Sequence, residues 1–136
     1  MSPAADGTGA KGDLRAPFVL YIEDNFHNRR LVGKILASRG IRVVEAEDGL
    51  SGLRQMRQER PAVVLLDISL PDIDGLEVLA RIRGDAALRE IPVVALTASA
   101  MHGDRERFLA QGCDDYLSKP LQALELIAMV ERYLEG

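Results

Sequence analysis

Ala62-Val63-Val64-Leu65-Leu66-Asp67-Ile68-Ser69-Leu70-Pro71-Asp72-Ile73-Asp74-Gly75 is the stretch that decides the fold. Five apolar residues that end in an acid read as a buried strand carrying a carboxylate to the edge of a sheet. The Pro, Asp and Gly that follow are turn formers. In an open parallel sheet, ligands bind beyond the carboxyl ends of the strands. Asp67 therefore stands where a charged side chain has a use other than packing, although capping of the following turn is an alternative reading.

Working outward, strand-like and helix-like segments alternate. Phe18-Val19-Leu20-Tyr21-Ile22 is a short apolar run that ends in Glu23 and Asp24. Residues 26–39 carry Leu31, Ile35 and Leu36 at helical spacing, with Gly40 as the stop. Ile41 to Ala46 is a second strand. Asp48 caps a helix running to about residue 59, with Leu50, Leu53 and Met56 on one face. Residues 62–67 form the third strand, and Leu76, Leu79, Ala80 and Ile82 mark a third helix that ends near Gly84. Ile91 to Leu96 is the fourth strand, and a helix over residues 100–111 stops at Gly112. Tyr116-Leu117-Ser118 is a short fifth strand, and Leu121, Leu124, Ile127, Ala128 and Leu134 line a last helix. Five βα units in a row predict an α/β fold: a parallel sheet with helices on both faces and right-handed crossovers. Residues 1–16, small and polar with three glycines, read as a disordered tail, which leaves 17–136 as one domain.

The totals agree with this reading and exclude other classes. The chain of 136 residues is 47% hydrophobic and 4% aromatic, so its core is aliphatic. A single Cys113 rules out an internal disulfide and suits a cytoplasmic setting; the residue reads as buried and inert. No apolar run approaches a membrane span, and no signal peptide is visible. A net charge of −4 argues against direct, non-specific nucleic-acid binding. His27 and His102 fit no zinc-ligand spacing and read as surface helix residues. Met101 and Met129 read as packing residues.

The polar residues fall on the strand ends. The first strand ends in Glu23-Asp24, the third in Asp67, the fourth in Thr97, and the fifth in Ser118-Lys119-Pro120. A parallel sheet gathers these ends at one rim. Three acids and one lysine leave a formal charge of −2, which a divalent cation would cancel. Hard carboxylate ligands select Mg²⁺ or Ca²⁺, and a site with few carboxylates is the Mg²⁺ pattern. A free oxygen of Asp67 beside Lys119 and Thr97 suits attack on phosphorus. Each residue also has a plainer reading: Glu23 and Asp24 as helix caps, Lys119 as a solvated loop charge, Thr97 as a β-branched strand residue, Tyr116 as a half-buried strand aromatic.

Taken together, the acidic pair Glu23-Asp24, the segment Leu66 to Pro71 with Asp74-Gly75, the segment Ala95-Leu96-Thr97-Ala98, and Lys119-Pro120 resemble the receiver domain of two-component response regulators. The resemblance covers about residues 17–135, and Thr97 and Lys119 lie 30 and 52 residues beyond Asp67. It implies a flavodoxin-like (βα)5 fold with strand order 2-1-3-4-5. It implies that Asp67 accepts a phosphoryl group from a histidine kinase or a histidine phosphotransfer protein. By the same resemblance, Asp24, Asp67 and the backbone carbonyl of Ser69 would ligate Mg²⁺, and Glu23 would act through a metal-bound water. Thr97 and Lys119 would hold phosphoryl oxygens, and Tyr116 would be an aromatic switch answering to Thr97. Lys119-Pro120 matches a bond commonly cis in the family.

One departure from the commonest pattern is Glu23, where Asp is more usual. The implied protein is a cytoplasmic signalling switch, a monomer or weak dimer, that changes its affinity for a downstream protein through its last two βα units. It is not an enzyme beyond a slow loss of its own phosphoryl group. The segments Val94 to Met101 and Gly112 to Pro120 look closest to DivK-like single-domain regulators and to the receivers attached to hybrid histidine kinases. The two rival readings are a pseudo-receiver that binds without phosphorylation and a Mg²⁺-dependent aspartyl phosphatase. The phosphatase class wants a second carboxylate close after the nucleophile, where this chain has Ser69.

Overall fold

The three central strands are the most apolar segments of the chain. The computed structural model describes residues 17–98 and 104–135. β1 (Phe18–Ile22), β3 (Val63–Asp67) and β4 (Val93–Thr97) are buried at every position. Continuous burial on both faces is the signature of a parallel strand covered by helices on either side. β2 (Arg42–Ala46) and β5 (Asp115–Ser118) are only partly buried, and they form the two edges. The order is β2-β1-β3-β4-β5 with every pairing parallel, as the resemblance implied. The chain leaves β1 towards one edge and returns to β3 on the other side of it. This reversal opens a crevice at the carboxyl ends of β1 and β3.

Side-chain alternation sorts the helices into two layers. Val19, Tyr21, Val63, Leu65, Val94, Leu96 and Leu117 pack with α1 (Phe26–Ala37) and α5 (Ala123–Glu135). Leu20, Ile22, Val64, Leu66, Val93 and Ala95 pack with α2 (Gly49–Gln58), α3 (Gly75–Arg83) and Phe108 of α4 (Asp104–Ala110). The helix starts are chemically marked. Asn25 accepts from the Asn28 amide, Asp48 and Ser51 form a capping box, and Asp74 accepts from the Leu76 amide. Gly40 closes the α1–β2 turn with φ +72°, a conformation that favours glycine.

Four helices bury a stripe that differs in part from the one expected. In α1 the buried residues are Val32 and Leu36, whereas Leu31 is 55% exposed. Val32 and Leu36 lie about 40° apart around the axis, and Leu31 falls about 100° to the side. In α2, Leu53 and Met56 are buried and Leu50 is exposed, because each three-residue step falls about 60° short of a turn. In α5, Leu126, Ile127 and Val130 face the sheet, while Leu124 and Ala128 face outward. In α3, Val78 takes the place expected of Ala80, which is exposed. The expectations for residues 1–16, for His102 and Met101, and for the start of the fourth helix fall outside the described residues. Among the described residues, no helix is long and apolar enough to cross a membrane.

Candidate functional site

The β1 and β3 ends are neighbours in the sheet, so Glu23, Asp24 and Asp67 arrive together. Each offers a carboxylate oxygen, and these oxygens lie within 4.8 Å of one another. Glu23 and Asp67 are buried, at 1% and 3% exposure, and Asp24 faces solvent. Lys119, just past β5, reaches across the end of β4 to both buried acids. Its Nζ is 3.1 Å from Glu23 Oε1 and 3.3 Å from Asp67 Oδ1. Alternation along the strands explains the convergence: Tyr21 with Glu23, Leu65 with Asp67, and Leu117 with Lys119 share the α1/α5 side of the sheet.

Thr97 and Tyr116 lie on the other side. Thr97 is buried at the end of β4 and pairs with Ser118 in the β4–β5 register, where Ala95 pairs with Tyr116. Tyr116 is half-buried and packs against the α2–α3–α4 layer, its ring centroid 6.3 Å from that of Phe108. The Lys119–Pro120 bond is cis. Ser69 is exposed, and its amide donates to Asp67 Oδ1 at 3.1 Å.

Electrostatics divide the two buried acids. Burial pushes Asp67 up to about 6, with the nearby Glu23 adding to it and the Ser69 amide and Lys119 opposing it. Burial also works against ionisation of Glu23, but hydrogen bonds with Asp67, Lys119 and the Asn25 amide outweigh it and hold Glu23 below the usual range. A proton shared between them therefore resides on Asp67. An excess of buried negative charge among hard oxygen donors suits a cation such as Mg²⁺, and these three acids include no softer sulfur or nitrogen ligand.

Several supporting groups carry little signal in the sequence. Arg29 on α1 donates to the backbone carbonyls of Glu23 and Asp24, at 2.8 and 3.0 Å, and pins the acidic pair from above. Nothing in its spacing marks it out. Asp72 accepts from the Gly49 and Leu50 amides at 2.9 and 3.0 Å, so the β3–α3 loop is moored to the start of α2. Gly75 lets that loop close: a Cβ there would lie 2.6 Å from the Asp67 carbonyl oxygen. The buried Tyr21 donates its hydroxyl to Glu23 Oε1 at 3.0 Å. A polar aromatic two residues before an acid in an aliphatic strand was the available clue. Tyr21 also lines an apolar cavity of about 420 Å³ with Leu31, Val32, Ile35, Lys119 and Leu121. His27 is exposed, and Cys113 is buried with its thiol pushed up to about 11 by burial.

Five parallel strands in the order 2-1-3-4-5, with acids at the ends of β1 and β3, define a receiver-type architecture. Residues 19–131 match the response regulator receiver domain, and the chain belongs to that family of two-component signalling domains. It is 40% identical over 116 residues to the polar-differentiation response regulator DivK of Brucella anthropi, covering 85% of this chain and 94% of that one. The receiver domain of the sensor histidine kinase PA1611 from Pseudomonas aeruginosa PAO1 is 36% identical, with a TM-score of 0.80 over 89% of this chain and 99% of that one. That structure holds a magnesium ion in its active-site cleft. The receiver of a histidine kinase from Syntrophus aciditrophicus is 30% identical, with a TM-score of 0.80 over 89% and 92% of the two chains. The family is a signalling domain and not a classical enzyme, and receivers of this kind interact with histidine kinases and downstream targets.

Proposed function

We propose that residues 17–136 form a phosphorylatable switch in which Asp67 takes a phosphoryl group from the phosphohistidine of a kinase or phosphotransfer protein. The observation that carries this reading is Lys119 Nζ, 3.3 Å from Asp67 Oδ1 in a rim where three carboxylates converge. An oxygen of Asp67 attacks phosphorus, the N–P bond of the donor breaks as an O–P bond forms, and the imidazole leaves with the electron pair. Asp67 has to be ionised to attack, and Lys119 offers an ammonium to the transferred oxygens. Thr97, buried at the next strand end, offers its hydroxyl to another.

Asp24, Asp67 and the Ser69 carbonyl would hold Mg²⁺ directly, with Glu23 acting through a bound water. Bound there, the ion supplies positive charge that neutralises both the carboxylates and the phosphoryl oxygens. Thr97 and Tyr116 share one face of adjacent strands, so a shift of Thr97 towards the phosphoryl group opens room for the Tyr116 ring. The α4–β5–α5 surface then changes its affinity for a downstream protein, a local charge event biasing a two-state element.

The test is mass spectrometry of the chain incubated with Mg²⁺ and a small phosphodonor. One phosphoryl mass is expected on the wild type and none on Asp67→Asn. An unmodified wild type would leave a binding module without phosphorylation as the better reading.

A further inference from the structure

Tyr21 is fully buried in the middle of the sheet, yet its hydroxyl points at the candidate site. It donates to Glu23 Oε1 at 3.0 Å, the same oxygen that Lys119 Nζ approaches at 3.1 Å. Glu23 Oε2 accepts from the Asn25 amide at 3.2 Å. Glu23 is 1% exposed, and a buried carboxylate is costly wherever its lone pairs lack donors.

The proposed phosphoryl transfer asks Lys119 to move. Its ammonium is tied to Glu23 and Asp67 before transfer and has to turn to an oxygen of the new acyl phosphate. That turn removes a donor from Glu23 Oε1. We propose that Tyr21 is a positioning residue for this step: its hydroxyl stays on Glu23 Oε1 and keeps the buried carboxylate partnered while Lys119 leaves. The inference rests on Asp67 being the phosphoacceptor.

Side-chain length makes Tyr21 and Glu23 a matched pair. An Asp at position 23 would draw the carboxylate back by about one C–C bond, roughly 1.5 Å. Starting from 3.0 Å, that takes the acceptor out of hydrogen-bonding reach of the hydroxyl. The longer acid at position 23 thus has a structural counterpart two residues earlier on the same face of β1.

The experiment measures binding of trifluoroberyllate, a stable mimic of the phosphoryl group on a carboxylate, by calorimetry on the full chain with saturating Mg²⁺. Binding of Mg²⁺ alone is measured beside it. Wild type should bind trifluoroberyllate and Asp67→Asn should not. Failure of the wild type to bind counts against the phosphoacceptor reading itself. Tyr21→Phe, which removes one oxygen and keeps the ring, should weaken trifluoroberyllate about tenfold and Mg²⁺ alone by less than about threefold. In a Glu23→Asp background the same substitution should change trifluoroberyllate affinity less than about twofold. Equal affinity of wild type and Tyr21→Phe, or an equal loss in both backgrounds, overturns the proposal. So does a loss for Mg²⁺ as large as that for the mimic. Should Tyr21→Phe not fold, 3-fluorotyrosine-labelled wild type supplies the check. The ¹⁹F signal of Tyr21 should shift when trifluoroberyllate is added to the Mg²⁺-loaded protein, and an unmoved signal overturns the proposal.

Discussion

The two rims of one sheet handle charge in opposite ways. At the amino ends of the strands, positive and negative groups are matched. Arg83 donates to the carbonyls of Gly112, Arg89 and Ile91 at 2.8 to 2.9 Å and pairs with Asp114 at 2.9 Å. Asp114 in turn accepts from the Val93 amide at 2.7 Å. Arg42 meets Glu59 through two parallel hydrogen bonds, at 2.9 and 3.0 Å, and lies over the Phe18 ring. At the carboxyl ends, Glu23 and Asp67 share Lys119 with Asp24 close beside them, and the three acids keep an excess of negative charge. One rim is built to stay as it is. The other holds an unbalanced charge, which on the proposed function a cation and a phosphoryl group would relieve. The same sheet positions both, so the fold alone does not distinguish them; the side chains at the strand ends do.

The contrast can be broken from either rim. The largest effect is expected at the unbalanced one. Lys119→Met should slow phosphorylation of Asp67 by a small donor about a hundredfold, because the ammonium facing the transferred oxygens is gone. Intact-mass time courses measure it, and an unchanged rate would remove Lys119 from the proposed mechanism.

At the matched rim, Arg83→Ala should cost about 3 kcal/mol of unfolding free energy. It leaves three carbonyls and Asp114 without their shared donor. Urea unfolding measures it, and Mg²⁺ affinity should stay within about twofold of wild type. A fall in Mg²⁺ affinity as large as the fall in stability would mean that the two rims are coupled.

The excess charge predicts a pH dependence of a definite sign. Asp67 has an acidity of about 6 in the folded chain against an ordinary 3.8. Between these values the folded state binds more protons than the unfolded one, so stability falls as pH rises through the window. Glu23, held below its ordinary value, works the other way, with its loss confined to pH below 4.5. In the absence of divalent ions, Asp67→Asn should be about 1–2 kcal/mol more stable than wild type at pH 7. The gap should shrink towards zero near pH 4, and Mg²⁺ should narrow it at pH 7. A gap that does not change with pH would show that burial of Asp67 as an anion carries no penalty.

The smallest effect belongs to the mooring between loop and helix. Asp72→Ala removes the carboxylate that caps the Gly49 and Leu50 amides and should cost about 1 kcal/mol. Backbone hydrogen bonds at the α2 start, against the opposing effect of burial, hold the Asp72 carboxyl below its ordinary range. Its contribution is therefore present above that range and fades as pH falls through the lowered value. A loss that stays constant down to low pH would point to packing of the loop in place of the cap.

Strands and helices differ in how fully their burial is written in the sequence. Val63 to Leu66 is apolar at every position, so burial on both faces followed directly. The spacing of α5 predicts a stripe of Leu121, Leu124, Ile127, Ala128 and Leu134; the structure buries Ile127 together with Leu126 and Val130, packs Leu121 and Leu134 at the margin, and turns Leu124 and Ala128 outward. A helix rich in apolar residues offers more than one stripe, and the one that is used depends on how the helix is rolled on the sheet. The acids, the lysine and the threonine were legible because each stands at a strand end in a turn-forming context. Arg29 and Tyr21 were not. Arg29 acts on backbone carbonyls, which leave no mark in a sequence, and the Tyr21 hydroxyl matters only because strand alternation brings it under Glu23.

The sequence alone determined the βα alternation, the family, and which charged residues end which strands, because apolar runs and turn residues are local and each carries its own signal. Only the tertiary structure decided that Lys119 lies on Glu23 as closely as on Asp67, and that a buried tyrosine holds the same carboxylate oxygen. Those contacts join residues up to 96 positions apart, and their distances are set by strand register and helix packing, which no local pattern encodes.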